Sequence, residues 1–313
     1  MSKENVLVTG GAGYVGSVLT ETLLENGYCV TVLDNLMFRQ QSLLGLCHKE
    51  RLSFVKGDAR DQSLIKELVS KHDVLIPLAA LVGAPICKAD PHTATSVNLH
   101  SVKFLLEQAS ADQKVIFPTT NSGYGIGEEG QYCDEETPLR PVSLYGRDKV
   151  EAEKAFLDQG SSVTFRFATL FGTSPRMRLD LLVNDFTYRA FKDRAIVLFE
   201  SHFKRNFLHV RDAARAFLFA VENYDQMKGI PFNVGLSEAN LSKMELCLEI
   251  KKQLPDFHIF ESEIGEDPDK RDYIVSNDRI EKLGFKAVNG LQKGISELIK
   301  GYEILPSAGH GNV

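Results

Sequence analysis

The sequence predicts an α/β fold: a doubly wound parallel sheet accompanied by a second, smaller C-terminal domain. Two observations lead to this expectation. Apolar runs of strand length recur at 5–9, 30–33, 52–55, 74–78, 115–118 and 162–167, and helical periodicity fills most of the gaps between them. The first run, Val6-Leu7-Val8-Thr9, passes through Gly10-Gly11-Ala12-Gly13-Tyr14-Val15-Gly16 straight into a helical stretch. Strands that alternate with helices align in parallel, and the crevice of such a sheet opens at the carboxyl ends of its strands. Gly10, Asp34, Asp58, Ala79 and Thr119 all fall at those ends.

The glycine run reads as a socket for a pyrophosphate. Side chains would block a phosphate at so tight a turn, whereas free amides and the partial positive charge of a helix start attract an anion. Its spacing is G-x-x-G-x-x-G, which departs from the tighter dinucleotide fingerprint G-x-G-x-x-G. The next run, Val30-Thr31-Val32-Leu33, delivers Asp34 at its end, where a carboxylate accepts both ribose hydroxyls of an adenosine. A carboxylate there repels a 2′-phosphate, so NAD is expected rather than NADP. Arg39, which follows in a loop, is either a partner for such a phosphate or an exposed loop arginine.

After about residue 166 the periodicity loosens. Gly, Pro and Arg crowd 172–178, an apolar helix follows near 181–191, and 195–208 reads as extended. His209–Asn223 is helical and apolar again, so the chain is expected to return to the first domain there. The expected division is 1–166 plus about 207–230 for the dinucleotide-binding domain, and 167–206 plus 231–313 for the smaller, substrate domain. Pro306–Val313 reads as a disordered tail.

Composition removes several classes of function. A net charge of −6 supplies no general field for nucleic acid, so an anionic ligand needs local arginines. The five cysteines, Cys29, Cys47, Cys87, Cys133 and Cys247, lie far apart without C-x-x-C pairs, which argues against metal sites and a disulfide framework. Met1-Ser2-Lys3-Glu4 runs directly into the first strand without a signal peptide, and no apolar run reaches membrane-spanning length. A cytoplasmic protein without nucleic-acid or membrane partners is expected.

The chemistry is expected in Ser143-Leu144-Tyr145-Gly146-Arg147-Asp148-Lys149, where Tyr145 and Lys149 are four apart and share one helix face. An ammonium beside a phenol favours the phenolate and brings base catalysis toward neutrality, which is what removing a proton from an alcohol requires. Upstream, Val115-Ile116-Phe117 ends in Pro118-Thr119-Thr120, and Thr120 is positioned to hydrogen-bond the hydroxyl that Tyr145 would deprotonate. His209 reads as a hydrogen-bonded structural histidine. Cys87, in Val82-Gly83-Ala84-Pro85-Ile86-Cys87, either lines a pocket or packs.

With the glycine turn, Asp34, Thr120 and the Tyr145-Lys149 pair in this order, nearly the whole chain resembles the extended short-chain dehydrogenase/reductases. Within them it is similar to the sugar-nucleotide epimerases and dehydratases. The resemblance implies a Rossmann-type domain, an NAD-dependent enzyme and a sugar-nucleotide substrate. By this match Tyr145 is the base, Lys149 binds the nicotinamide ribose and lowers the tyrosine pKa, and Thr120 completes the catalytic trio. The cofactor would be held by Gly10, Gly13, Tyr14, Val15, Gly16, Asp34, Asn35, Asp58, Ala59, Leu78, Ala79 and Ala80, with Asp58 at the adenine. Asn98 matches an asparagine that is largely structural. Arg205 and Arg271 would grip the substrate diphosphate through their planar forks, and Asn184 would bind the nucleotide sugar. Arg176 and Arg178 face either the sugar or water.

Two positions narrow the reaction. In the family's 4,6-dehydratases an Asp-Glu pair follows the catalytic Ser/Thr, whereas Asn121 and Ser122 stand here as substrate-side residues. Neither titrates near neutrality, so dehydration is disfavoured. The combination Leu81-Val82-Gly83-Ala84-Pro85, Thr120-Asn121-Ser122-Gly123-Tyr124-Gly125 and Pro175-Arg176-Met177-Arg178-Leu179-Asp180 resembles bacterial enzymes that oxidise the 4-hydroxyl of GDP-manno-heptose during capsule synthesis. That implies an NAD-dependent 4-dehydrogenase; a 4-epimerase that re-reduces the ketone would use the same residues. A non-catalytic NAD-sensing scaffold is the alternative of another class, and the intact Tyr145-Lys149 pair counts against it. The resemblance also implies a homodimer through helices near 93–109 and 143–158, with Val97, Val102, Leu105, Leu106, Val150 and Phe156 as the apolar surface. The same residues would otherwise face the sheet.

Overall fold

The computed structural model describes residues 3–128, 130–262 and 271–305. The start at Met1–Ser2, the tail Pro306–Val313 and most of the charge run preceding Arg271 lie outside them. Seven parallel strands form the main sheet, in the order Pro231–Val234, Ser162–Phe167, Lys114–Thr120, Val74–Pro77, Asn5–Thr9, Cys29–Asp34, Leu52–Lys56. Strand order reverses between Asn5–Thr9 and Val74–Pro77, which places the topological switch point, and hence the crevice, beside the glycine turn. Interior strands such as Val74–Pro77 and Ser162–Phe167 are buried at every position, as both faces of a parallel sheet require.

Six of the seven strands are those the apolar runs predicted, with ends shifted by a residue or two. The seventh is a correction. Pro231–Val234, assigned to the smaller domain by the periodicity, is the edge strand of the main sheet. It is short and opens with a proline, which lacks a ladder donor and is tolerated at a strand start on an edge, so its apolar run was too brief to register. The extended piece at 195–208 divides into Ala195–Leu198 and Lys204–His209. The second of these joins a three-stranded sheet with Thr169–Phe171 and Asn240–Ser242. Successive side chains of this strand feed different cores: Phe207 enters a cluster with Phe171, Phe186, Phe257 and Leu298, and Leu208 enters the cluster of the main sheet.

Helices cover both faces of the main sheet. Tyr14–Glu25 and Val210–Glu222 pack side by side on one face around Phe165 and Phe217. Gln62–Val69, Ser101–Gln108 and Leu144–Asp158 cover the other around Phe117 and Phe156. This second layer takes up most of the residues expected on a dimer surface. Val102, Leu105, Leu106 and Phe156 are buried against the chain's own sheet, and Val97 lines the crevice. Between these helices lie polar links, Thr95 Oγ1 donating to Asp148 at 3.1 Å and Lys103 Nζ to Glu151 at 2.6 Å. Among the described residues no helix is long and apolar enough to cross a membrane, and all five cysteines are unpaired.

The helix Leu144–Asp158 is seated by Phe156 stacking on Phe117, ring centroids 4.3 Å apart and planes within 8°. Phe156→Ala removes the stack and leaves a cavity, which costs about 3–5 kcal/mol of unfolding free energy. A urea midpoint unchanged from wild type would show that this contact does not hold the helix.

Candidate active site

The strand Asn5–Thr9 ends in a turn that only glycine can make. Gly10 has φ +73°, and a Cβ on it would sit 2.6 Å from the amide nitrogen of Ala79. Its own amide donates to Leu33 O at 2.7 Å, tying the turn to the next strand. A Cβ on Gly16 would meet Gly11 Cα at 2.6 Å, so the helix Tyr14–Glu25 starts in direct backbone contact with the turn. No side chain caps that helix. The amides of Tyr14, Val15 and Gly16, in its first turn, have no intrahelical partner, and all three residues line the crevice. This is the donor set a pyrophosphate takes, and the residues present fit a dinucleotide.

Asp34 lies at the end of the neighbouring strand, 8 % exposed. Its Oδ2 accepts from Ala12 N at 3.0 Å, and its Oδ1 accepts from Leu36 N at 2.8 Å and Gln40 Nε2 at 3.1 Å. Burial raises its pKa above the ordinary carboxylate value and these donors pull it back. Asp58 is held in a fork by Arg60, at 2.9 and 2.6 Å, which keeps its carboxyl below the usual range. The adenine expectation ignored Arg60, which shares the crevice wall with Asn35, Asp58 and Ala59. Arg39 is exposed and stands off the wall.

Tyr145 and Lys149 lie one turn apart on the helix Leu144–Asp158, whose start is capped by Ser143 Oγ accepting from Gly146 N at 3.1 Å. Lys149 Nζ donates to Pro118 O at 3.1 Å and sits 4.5 Å from the centre of the Phe117 ring. Thr120 Oγ1 accepts from Ser122 N at 3.1 Å and lies 2.9 Å from Ser122 Oγ. The electrostatics run against expectation. Burial pushes the Tyr145 phenol up to about 12 and the Lys149 amine down to about 8, so desolvation drives both toward their neutral forms. Arg178 and Arg271 are the cations that pull the phenol back down.

One cavity of about 1010 Å³ joins all of this. Gly10, Gly13, Tyr14, Val15, Gly16, Asp34, Asn35, Asp58, Ala59, Leu78, Ala79 and Ala80 line one part, and Thr120, Ser122, Tyr145, Lys149, Arg205 and Arg271 line the rest. Arg271 hydrogen-bonds Ser122 Oγ, and Arg205 lies 5.6 Å from the ring centre of Tyr273. Arg176 and Arg178, left open by the sequence, both line the cavity: Arg176 stacks over Phe38 at 4.6 Å and Arg178 pairs with Asp180. Sequence reasoning missed Lys243, a buried cavity residue at the start of the helix Lys243–Lys251, because a lysine opening a helix carries no pattern of its own.

Two expected ligand residues are not on the cavity wall. Asn184 is fully buried and its amide is spent on the chain itself: Oδ1 accepts from Gly172 N at 3.0 Å and Nδ2 donates to Arg178 O at 2.8 Å. It shapes the 172–178 loop instead of meeting a ligand. Asn121 is 1 % exposed behind the wall, and its side-chain polar atoms find no hydrogen-bond partner among the described residues. Cys87 also packs away from the cavity, donating to Leu81 O at 3.2 Å beside Asn98, which bonds both backbone groups of Leu81. His209 is buried and caps the helix Val210–Glu222 through Arg211 N at 3.2 Å.

A dinucleotide socket, a tyrosine-lysine pair and a cationic far wall in one cavity define a nucleotide-dependent redox enzyme. Residues 6–235 match the model of the NAD dependent epimerase/dehydratase family, and the chain belongs to that family. NAD is therefore its cofactor. The chain is similar to the low-salt glycan biosynthesis protein Agl12 of Haloferax volcanii, 26% identical over 310 residues, covering 95% of this chain and 98% of the relative. It is also similar to the dTDP-glucose 4,6-dehydratase of Streptomyces niveus, 27% identical over 263 residues, covering 79% and 76%. Among solved structures, the UDP-glucose 4-epimerase of Thermotoga maritima with UDP-glucose superposes with a TM-score of 0.82 at 25% identity, covering 96% of this chain and 99% of that one.

The depressed Lys149 gives a measurable signature. Between about pH 8 and 10.5 the unfolded lysine holds a proton that the buried one has released, so stability rises with pH across that window. Lys149→Met abolishes this gain. The wild-type minus variant unfolding free energy should climb by roughly 2 kcal/mol from pH 7.5 to 10 in urea titrations, and a flat difference would refute the desolvated amine.

Proposed function

We propose that the protein oxidises the 4-hydroxyl of a sugar nucleotide to a ketone, with Tyr145, Lys149 and Thr120 as its catalytic residues. The observation that carries this reading is the single cavity lined by the glycine turn, Asp34, the tyrosine-lysine pair and two arginines. Its volume of about 1010 Å³ suits two nucleotide-sized ligands end to end. NAD, when bound, supplies the hydride acceptor. Gly10 and Gly13 would admit its pyrophosphate, and the carboxylate of Asp34 would take the adenosine ribose.

Tyr145 takes the hydroxyl proton, and Thr120 orients the same hydroxyl through its Oγ1. Removing that proton requires a phenolate, which burial disfavours and Arg178 and Arg271 favour. Lys149, held by Pro118 O, would bind the nicotinamide ribose. Arg205 and Arg271 grip the substrate diphosphate, and the bond from Arg271 to Ser122 joins the diphosphate end to the sugar end. Asn121 and Ser122 offer no titrating group for elimination of water, which argues against 4,6-dehydration in spite of the dehydratase among the relatives.

GDP-manno-heptose oxidised to its 4-keto form is the substrate we favour, on the motifs at 81–85, 120–125 and 175–180. A 4-epimerase that returns the hydride to the other face is the second reading, favoured by the likeness to the Thermotoga maritima UDP-glucose 4-epimerase. The two separate by product. NMR of the purified protein with a panel of GDP-, UDP- and dTDP-sugars yields a stable ketone for the dehydrogenase and an inverted alcohol for the epimerase.

Tyr145→Phe removes only the ionising oxygen. Turnover should fall at least roughly a hundredfold while NADH binding, followed by fluorescence, stays within about twofold. Wild-type turnover in this variant would remove Tyr145 from the mechanism.

A further inference from the structure

One face of the helix Leu144–Asp158 carries a third polar group that the reaction above leaves unused. Tyr145, Lys149 and Glu153 follow at intervals of four, and Glu153 is 2 % exposed. A buried carboxylate is retained only where it is paired and hydrogen-bonded. Its partner is Arg166 on the strand Ser162–Phe167, whose Nε and Nη2 both lie 2.7 Å from Glu153 Oε1. The other arm of the guanidinium, Nη1, donates to Tyr124 Oη at 3.1 Å and Glu135 O at 3.0 Å. The second carboxylate oxygen, Oε2, accepts from Thr119 Oγ1 at 2.8 Å.

Thr119 stands opposite Arg166 in the parallel pairing of the two strands, and it immediately precedes Thr120. A hydroxyl has one proton to donate and lone pairs to accept with. Since the Thr119 proton goes to Glu153, its oxygen is left to accept, and it does so from the amide of Thr120 at 2.5 Å. Thr120 Oγ1 in turn takes the amide of Ser122. A chain of bonds therefore runs from the helix bearing Tyr145 and Lys149, through Glu153 and Thr119, to the backbone that aims Thr120.

We propose that the Thr119 hydroxyl is a positioning group, coupling the Glu153–Arg166 ion pair to Thr120 so that Thr120 and Tyr145 keep a fixed relation. The proposal rests on the assignment of Thr120 and Tyr145 to the reaction. Its physical basis is that catalytic groups act from a narrow geometry, in which a displacement of about 1 Å is enough to cost on the order of a hundredfold. Arg166 and Glu153 are unsuited to a direct test, because removing either charge leaves the other buried and unpaired. Thr119 is suited to one. Thr119→Val keeps the shape and the ion pair while deleting the hydroxyl, and Thr119→Ser keeps the hydroxyl while deleting the methyl.

Two readouts on the NAD-loaded protein test this. Amide hydrogen exchange, which needs no substrate, should speed up at least about tenfold at Thr120 and Ser122 in Thr119→Val and stay near wild type in Thr119→Ser. With the sugar nucleotide that turns over in the panel, Thr119→Val should lower kcat about tenfold or more with KM within about twofold, and Thr119→Ser should recover kcat to within about threefold. Unchanged exchange at Ser122 overturns the proposal, as does a wild-type kcat in Thr119→Val. A Ser variant as impaired as the Val variant also overturns it, because packing of the methyl would then be the cause. Failure of the underlying reaction is a separate result: it appears as retained turnover in Tyr145→Phe, or as no turnover of any sugar nucleotide by the wild type, and the exchange experiment still decides the role of Thr119.

Discussion

Backbone packed on backbone at the glycine turn is the constraint from which the rest of the site follows. Because nothing projects from Gly10, the turn after the first strand lies against Ala79 at the end of the neighbouring strand, at the point where strand order reverses. Because nothing projects from Gly16, the first helix begins in contact with that turn, and its uncapped first turn lines the crevice. A single methyl at either place would push the helix start away from the sheet. The anion site would then lose its alignment with Asp34, whose Oδ2 is fastened to Ala12 within the same turn.

Desolvation is the second organising force, and it acts on a stripe along one helix. Lys149 and Glu153 lean on the main sheet and Tyr145 on the small cluster of Leu81, Cys87 and Ala94, and the three meet burial differently. Glu153 is compensated by Arg166 within the protein, a pairing that stabilises little on balance but is costly to break. Among the described residues Lys149 meets the carbonyl of Pro118 and the ring face of Phe117, and the cations that act on Tyr145 are Arg178 and Arg271. The fully paired group serves as an anchor, and the two poorly paired groups are left with shifted acidities. Perturbed groups of this kind concentrate where charge must change during a reaction.

Short-range pattern carried the fold and the cofactor half of the site in the sequence. Periodicity marked six of the seven parallel strands, and the glycine run, Asp34 and the tyrosine-lysine spacing are local features that survive any detail of packing. What failed was whatever depends on residues far apart in the chain. Asn184 carries no local sign that its amide is already committed to Gly172 and Arg178. The helical residues expected at a subunit surface had an equal claim to the sheet beneath them, and the sheet holds them. The direction of the Tyr145 shift was misjudged because spacing on a helix reveals a neighbouring charge but not the water lost around it.

The loop at 172–180 links the glycine-turn helix to the Tyr145 side of the cavity. Tyr14, at the start of the cofactor helix, donates from its hydroxyl to Gly172 O at 2.7 Å, and its carbonyl accepts from Ser174 Oγ at 2.7 Å. Ser17, one turn on, lies 3.1 Å from Ser174 through their hydroxyls. From this anchored base the loop continues to Arg178, which is fastened by Asn184, Asp180 and the carbonyl of Val82. Arg178 is also the foremost of the cations that favour the Tyr145 phenolate. The helix start built to receive a pyrophosphate thus supports the charge that tunes the phenol. A shift of that helix would move Arg178 relative to Tyr145, so the glycine turn and the electrostatic surroundings of Tyr145 are properties of one frame.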